Sequence, residues 1–154
     1  MIHHLNQAIV TAKALFLSLI LFPCVLSAQN GYWFKKGKDE KKPEKQVEYF
    51  TRSIEIEGAK AETYLYRGDA YDSLALVASY KFHLILFGHN DTHNARLMFE
   101  RAKSDYSKAI SLDPKCSYAY INRSDVHWQL GEIDQAVADL SSLIKIDSQN
   151  ATAY

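Results

Sequence analysis

Two cysteines, three prolines and six glycines are sparse punctuation for a chain of 154 residues. Residues 72–101 contain no proline and a single glycine, Gly88, so only the cluster 88–92 signals a turn there. Equally absent is any charge bias, because 18 basic side chains balance 18 acidic ones. A neutral balance gives no electrostatic footprint for nucleic acid. The one basic run, Lys35, Lys36, Lys38, Lys41, Lys42 and Lys45, is interleaved with Asp39, Glu40 and Glu44 and reads as a solvated polar stretch. Nothing in the chain pairs a nucleophile with a base, forms a glycine-rich phosphate loop or sets two carboxylates at a defined spacing. No enzyme activity and no cofactor are therefore expected. His89 and His93, four apart with Asp91 between them, are the nearest approach to a metal site. They straddle an expected turn and have no evident third ligand, so no metal site is assigned.

What the chain does have begins with an apolar leader. In residues 1–28 the only charge besides histidine is Lys13, followed by ALFLSLILFPCVL and then Ser27-Ala28. This pattern describes a secretory signal peptide cut after Ala28, leaving a secreted or periplasmic chain. An uncleaved anchor is the alternative, although Ala14–Leu26 is shorter than the ~20 apolar residues of a spanning helix. Lipidation at Cys24 is disfavoured because Leu21-Phe22-Pro23 resembles a lipobox only at Leu21, with no small residue next to the cysteine. Cleavage removes one lysine and no acid, leaving 17 basic and 18 acidic residues and Cys116 as a lone thiol. No internal disulfide could then form.

Internal repetition organises the remainder. AETYLYRGDAY (residues 61–71) returns as SYAYINRSDVH (117–127), pairing Tyr64 with Tyr120, Arg67 with Arg123, Gly68 with Ser124 and Asp69 with Asp125 at a separation of 56. AKSDYSKAISLDP (102–114) returns 34 residues later as AVADLSSLIKIDS and lies 56 after QVEYFTRSIEIEG, so that Ile54, Ile110 and Ile144 share one register. The difference of 22 falls between Tyr71 and Ala102, which are 31 apart where His127 and Ala136 are 9 apart. One repeat has been pulled open by an insertion.

A 34-residue helix-turn-helix period is that of the tetratricopeptide repeat, and these residues resemble that family. The resemblance implies an all-α, right-handed solenoid of helical hairpins. Residues 29–42 are expected to be a connector, 43–58 a partial repeat with one clear helix, 61–114 a repeat with the insertion, 117–150 a full repeat and 151–154 the start of another. The first helix of the partial repeat should start near Pro43 and end near Gly58, with Tyr32, Trp33 and Phe34 covering it. Helices should also end at Asp113-Pro114 and turn at Gly131. Within the insertion, both helices of the hairpin are expected to extend, the first to about Phe87 and the second from near Thr92, with a turn over residues 88–92. About ten extra residues per helix make an arm of roughly 15 Å. It is apolar enough to be a candidate for partner contact, self-association or membrane contact, with Leu84, Phe87, Leu97 and Met98 as the residues of interest.

The resemblance further implies a concave groove, lined by the first helices, that binds a partner protein or peptide. Carried over, its residues are Leu65, Asp69 and Asp72 in one repeat and Tyr118, Ile121, Asp125, Trp128 and Gln129 in the next. Trp128 is the expected anchor. Some family members hold a peptide's terminal carboxylate with Lys and Asn, whereas the acidic residues here point to a neutral or basic ligand.

Overall fold

The computed structural model describes residues 31–84 and 89–146, with side chains described outside residues 81–92. Among the described residues six helices follow one another: α1 (Tyr32–Asp39), α2 (Pro43–Glu57), α3 (Ala61–Leu84), α4 (His89–Leu112), α5 (Ser117–Leu130) and α6 (Ile133–Ile146). Among the described residues there is no strand. Consecutive helices pack into three hairpins, α1/α2, α3/α4 and α5/α6, with α3 also on α2 and α5 also on α4.

Sequence signals account for most of the helix ends. Pro43 occupies the first turn of α2, where its missing N–H costs nothing, and Gly58 ends it at φ 93°. At the end of α5, Gly131 takes φ 78°, and its N–H and that of Glu132 donate to the carbonyls of Trp128 and His127 at 3.0 and 2.8 Å. Left-handed backbone there requires glycine.

Residues 29–42 are not simply a connector: α1 occupies Tyr32–Asp39. The first hairpin therefore has two helices, one of them only eight residues long. Its N-terminus is capped from a distance, because Glu57 accepts hydrogen bonds from the N–H groups of Trp33 (2.7 Å) and Phe34 (3.4 Å), as well as from Ser53 Oγ (2.6 Å). A helix this short gains little from its own hydrogen bonds. Packing holds it instead: Phe34 sits 5.9 Å from Phe50 and 5.7 Å from Tyr66, ring centre to ring centre.

Close approach within a hairpin depends on glycine. A Cβ on Gly37 would lie 2.5 Å from the Phe50 ring, and one on Gly68 would lie 2.6 Å from the Tyr106 ring. Phe50 and Tyr106 are 56 apart and essentially buried, so the two hairpins solve the same packing problem identically.

The inserted residues lengthen the middle hairpin. α3 and α4 have 24 residues each against 14 in α5 and α6, which at 1.5 Å per residue extends the pair about 15 Å past its neighbour. α4 begins at His89 rather than near Thr92, so Asn90, Asp91 and Thr92 belong to its first turn. His89 and His93 thus lie on one helix and do not straddle a turn. Small residues let the arm close, with Ala75 and Ala95 joining Phe99, Ala102, Tyr106 and Val126 in the main core. Val77, Tyr80 and Leu97 remain exposed. Met98 packs on the core instead of lying free, while the side chains of Leu84 and Phe87 fall outside the described residues.

Candidate functional site

The repeat positions Arg67 and Arg123 turn out to be the braces of the solenoid. Arg67 donates from Nε and Nη2 to the two carboxylate oxygens of Asp105, both at 2.8 Å, and from Nη1 to Thr51 Oγ1 at 3.1 Å. Arg123 does the same to Asp139, at 2.8 and 2.5 Å, and to Ser107 Oγ at 3.0 Å. Each guanidinium therefore joins the two helices of its own hairpin and reaches back to the hairpin before. Bidentate geometry is what arginine supplies and lysine does not. In α1 the corresponding residues are Trp33 and Lys36, and the residue in register with Asp105 is Tyr49. The ammonium of Lys36 accordingly lies 4.6 Å from the Tyr49 ring centre and 5.2 Å from that of Trp33, a cation-π contact in place of an ion pair.

His127 is buried and joins a polar network. Its Nδ1 is 2.6 Å from Glu132 and its Nε2 is 3.7 Å from Asp139, while Lys103 reaches Glu132 at 3.0 Å. Cys116 is half-buried just before α5, and burial pushes its thiol up from the ordinary range.

One residue after each hairpin's small position comes a polar row along the first helices: Lys38, Asp69 and Asp125. Asp69 Oδ1 accepts from Tyr106 Oη at 2.9 Å and from Asn122 Nδ2 at 2.8 Å. Burial raises its carboxyl above the usual range, and those two donors oppose the shift. Burial, with Asp69 and Asp125 nearby, pushes Asp72 up to about 6. Lys38 approaches the Tyr66 ring at 5.0 Å. A cleft of about 150 Å³ runs between them, lined by Lys38, Gln46, Phe50, Tyr66, Asp69 and Ser73.

The eight residues named from the sequence divide in two. Asp69, Asp72, Asp125, Tyr118, Trp128 and Gln129 are available at the surface to differing degrees, with Tyr118 71% and Trp128 64% exposed. Leu65 and Ile121 are half-buried against the two core clusters, so they form the floor rather than reach a ligand. Sequence reasoning missed Lys38, Tyr66 and Asn122. Lys38 was legible in principle, since Gly37-Lys38 repeats Gly68-Asp69 at a distance of 31. Reading the segment as a connector hid it. Among the described residues no cluster of three potential metal ligands occurs.

An all-α chain of stacked hairpins with its polar row on the first helices is a helical-repeat scaffold. Residues 98–116 and 117–150 match the model of the tetratricopeptide repeat, so the chain carries repeats of that kind. The first match is the closing half of the interrupted hairpin and the second is the intact one. Solved structures agree with this architecture. The tetratricopeptide domain of Arabidopsis OM64 is 26% identical with a TM-score of 0.55, over 81% of this chain and 83% of that one. The second such domain of human RPAP3, solved with the HSP70 peptide SGPTIEEVD, is 24% identical with a TM-score of 0.53, over 83% and 85%. The first such domain of Spaghetti (RPAP3), bound to the HSP90 peptide SRMEEVD, is 20% identical with a TM-score of 0.53, over 84% and 82%.

Proposed function

We infer that the protein is an interaction scaffold whose row of first helices takes a neutral or basic segment of a partner protein. The observation that carries this reading is the charge order along the row: one cation, Lys38, then Asp69, Asp72 and Asp125. Tyr118 and Trp128 stand exposed on α5, the last of the described first helices, and supply the large rigid surface that anchors protein contacts. RPAP3 domains of the same fold were solved with peptides ending in Glu-Glu-Val-Asp. Carboxylates dominate the row here, which disfavours such acidic ends and favours lysine or arginine. The apolar leader assigns this activity to a secreted or periplasmic setting, and a mature N-terminus at Gln29 is the mass-spectrometric test of that assignment. The arm, with Val77, Tyr80 and Leu97 exposed, offers a second contact surface beside the groove. No described helix is long and apolar enough to cross a membrane.

Titration with two labelled peptide pools, one rich in Lys and Arg and one rich in Asp and Glu, tests the groove. The basic pool should bind more tightly, lose affinity with added salt, and bind Trp128→Ala about tenfold more weakly, the loss of one aromatic anchor. Equal binding of both pools, or an unchanged affinity for Trp128→Ala, would overturn the assignment.

A further inference from the structure

The inserted residues do more than lengthen one hairpin: they leave a re-entrant corner beside it. α5 ends at Leu130, and Gly131 turns the chain away. α3 and α4, with 24 residues each against 14 in α5, rise past that point. In a stack of equal hairpins the end of α5 would meet a turn of its neighbour. Here it meets the flank of two long helices, and the angle between them is an open notch of about 450 Å³.

The floor of the notch is apolar. Leu130 packs on the main core, and Ala95 and Phe99 of that core line the notch from α4. The rim is polar, with Ser79 on α3, His93 and Arg96 on α4 and Gln129 on α5, and no described lining residue is a carboxylate. Arg96 is the cation of that rim, with its side chain 64% exposed. Its described ion-pair partner, Glu100, lies 3.9 Å away and gives its other oxygen to Lys103 at 2.7 Å. Arg67 and Arg123, by contrast, each grip a carboxylate through two nitrogens. Arg96 makes no such two-nitrogen bond among the described residues, so its planar fork can take a carboxylate from outside.

We propose that this notch docks an acidic, apolar segment of a partner protein, with a Glu or Asp carboxylate held by Arg96 and an adjoining apolar side chain laid on Phe99 and Leu130. Charge complementarity selects the acid, because the rim is cationic where the row of first helices carries Asp69, Asp72 and Asp125. The open shape selects a polypeptide over a free small acid. A pocket that retains a small ligand buries roughly 70–90% of its surface. This notch is open along one side, and a partner's own chain supplies the missing cover. The corner exists only where the hairpin was lengthened, so it does not come with the repeat itself, and it stands whether or not the groove takes a basic segment.

Fluorescence anisotropy of two labelled, end-blocked peptides titrated with the purified protein tests this site. One carries Leu-Glu-Phe-Glu between Gly-Ser flanks, and the other carries Leu-Gln-Phe-Gln. The acidic peptide should bind saturably, and at least tenfold more tightly than its glutamine counterpart. Arg96→Glu and Ser79→Trp should each weaken it at least tenfold, the first by reversing the rim charge and the second by filling the notch. Both positions are exposed, and circular dichroism checks that each variant folds. Trp128→Ala, the groove variant, should bind the acidic peptide unchanged, so that failure of this site and failure of the groove are read separately. Absence of saturable binding, equal binding of the two peptides, or full affinity in either notch variant overturns the proposal. Hexanoate binding as tightly as the acidic peptide also overturns it, because a small acid would then be the occupant.

Discussion

Arg67 is the side chain whose loss should hurt the fold most per atom removed. Its guanidinium makes two 2.8 Å bonds to Asp105, whose side chain is 7% exposed, and a third to Thr51 on the preceding hairpin. The Asp105 side is the costly one. Removing the arginine leaves a nearly dry carboxylate without its partner, and breaking a buried pair this way costs about 3–5 kcal/mol. Because the arginine is 18% exposed, some water reaches the site, so the lower end, about 3 kcal/mol, is the expected value for Arg67→Ala. Asp105→Ala should cost less, about 2 kcal/mol, because the orphaned guanidinium can turn toward solvent. Thr51→Val removes only the link between hairpins and should cost about 1 kcal/mol. Urea unfolding followed by far-ultraviolet circular dichroism measures all three, and the cycle through the double variant isolates the pair. Replacing both partners by apolar residues of similar size, Arg67→Met with Asp105→Leu, should be nearly neutral. A loss below about 1 kcal/mol for Arg67→Ala, or a double apolar variant no better than the single ones, would refute the view that the ion pair holds the hairpins by burial.

Gly68→Ala should destabilise by about 1–3 kcal/mol, although alanine is the better helix former, because its Cβ would stand 2.6 Å from the Tyr106 ring. Thermal melting of this variant beside Tyr106→Leu with Gly68→Ala checks the cause, since the smaller partner should restore much of the loss. Asp72 binds its proton more tightly in the folded protein, about 6, than the ordinary 3.8. Stability from this group is thus full below about pH 4 and lost as pH rises through 6; Asp72→Asn should flatten that part of the stability-pH curve and raise stability at pH 7. The same titration predicts that a basic peptide binds the groove more weakly at pH 5 than at pH 7, measurable by calorimetry. Cys116, with its thiol pushed up by burial, should react with iodoacetamide more slowly at pH 8 than a free cysteine does, and unfolding in urea should remove the difference.

Much of the scaffold was legible because repetition is a strong signal. Matching Tyr64 to Tyr120 and Ile54 to Ile110 and Ile144 placed the hairpins, and locating the 22 extra residues placed the arm. Pro43, Gly58 and Gly131 marked real helix ends, because their backbone chemistry acts locally. The helix α1 was not legible. GYWFKKGKDEKK has neither a breaker-free apolar stripe nor a cap of its own, and its helix rests on Glu57 and the Phe50 ring of α2 and on the Tyr66 ring of the next hairpin. The groove suffered in the same way. Asp69 and Asp125 followed from the repeat, but Lys38 was hidden with α1, and the role of Asn122 exists only because α5 brings it within 2.8 Å of Asp69.

By itself, then, the sequence determined the period, the hairpin ends, the site of the interruption and the registers at which each repeat keeps a small residue, an aromatic ring and a cation. These are properties of spacing and of local backbone preference, and they survive without any knowledge of neighbours. Tertiary structure decided what each register does. The same cationic position binds a carboxylate and a hydroxyl in α3 and α5 but lies on aromatic rings in α1, because Tyr49 stands where Asp105 and Asp139 stand later. Likewise Phe99 and Leu130 floor an open notch only because the arm rises past the end of α5. Burial and partner chemistry belong to the packed arrangement, and no register carries them alone.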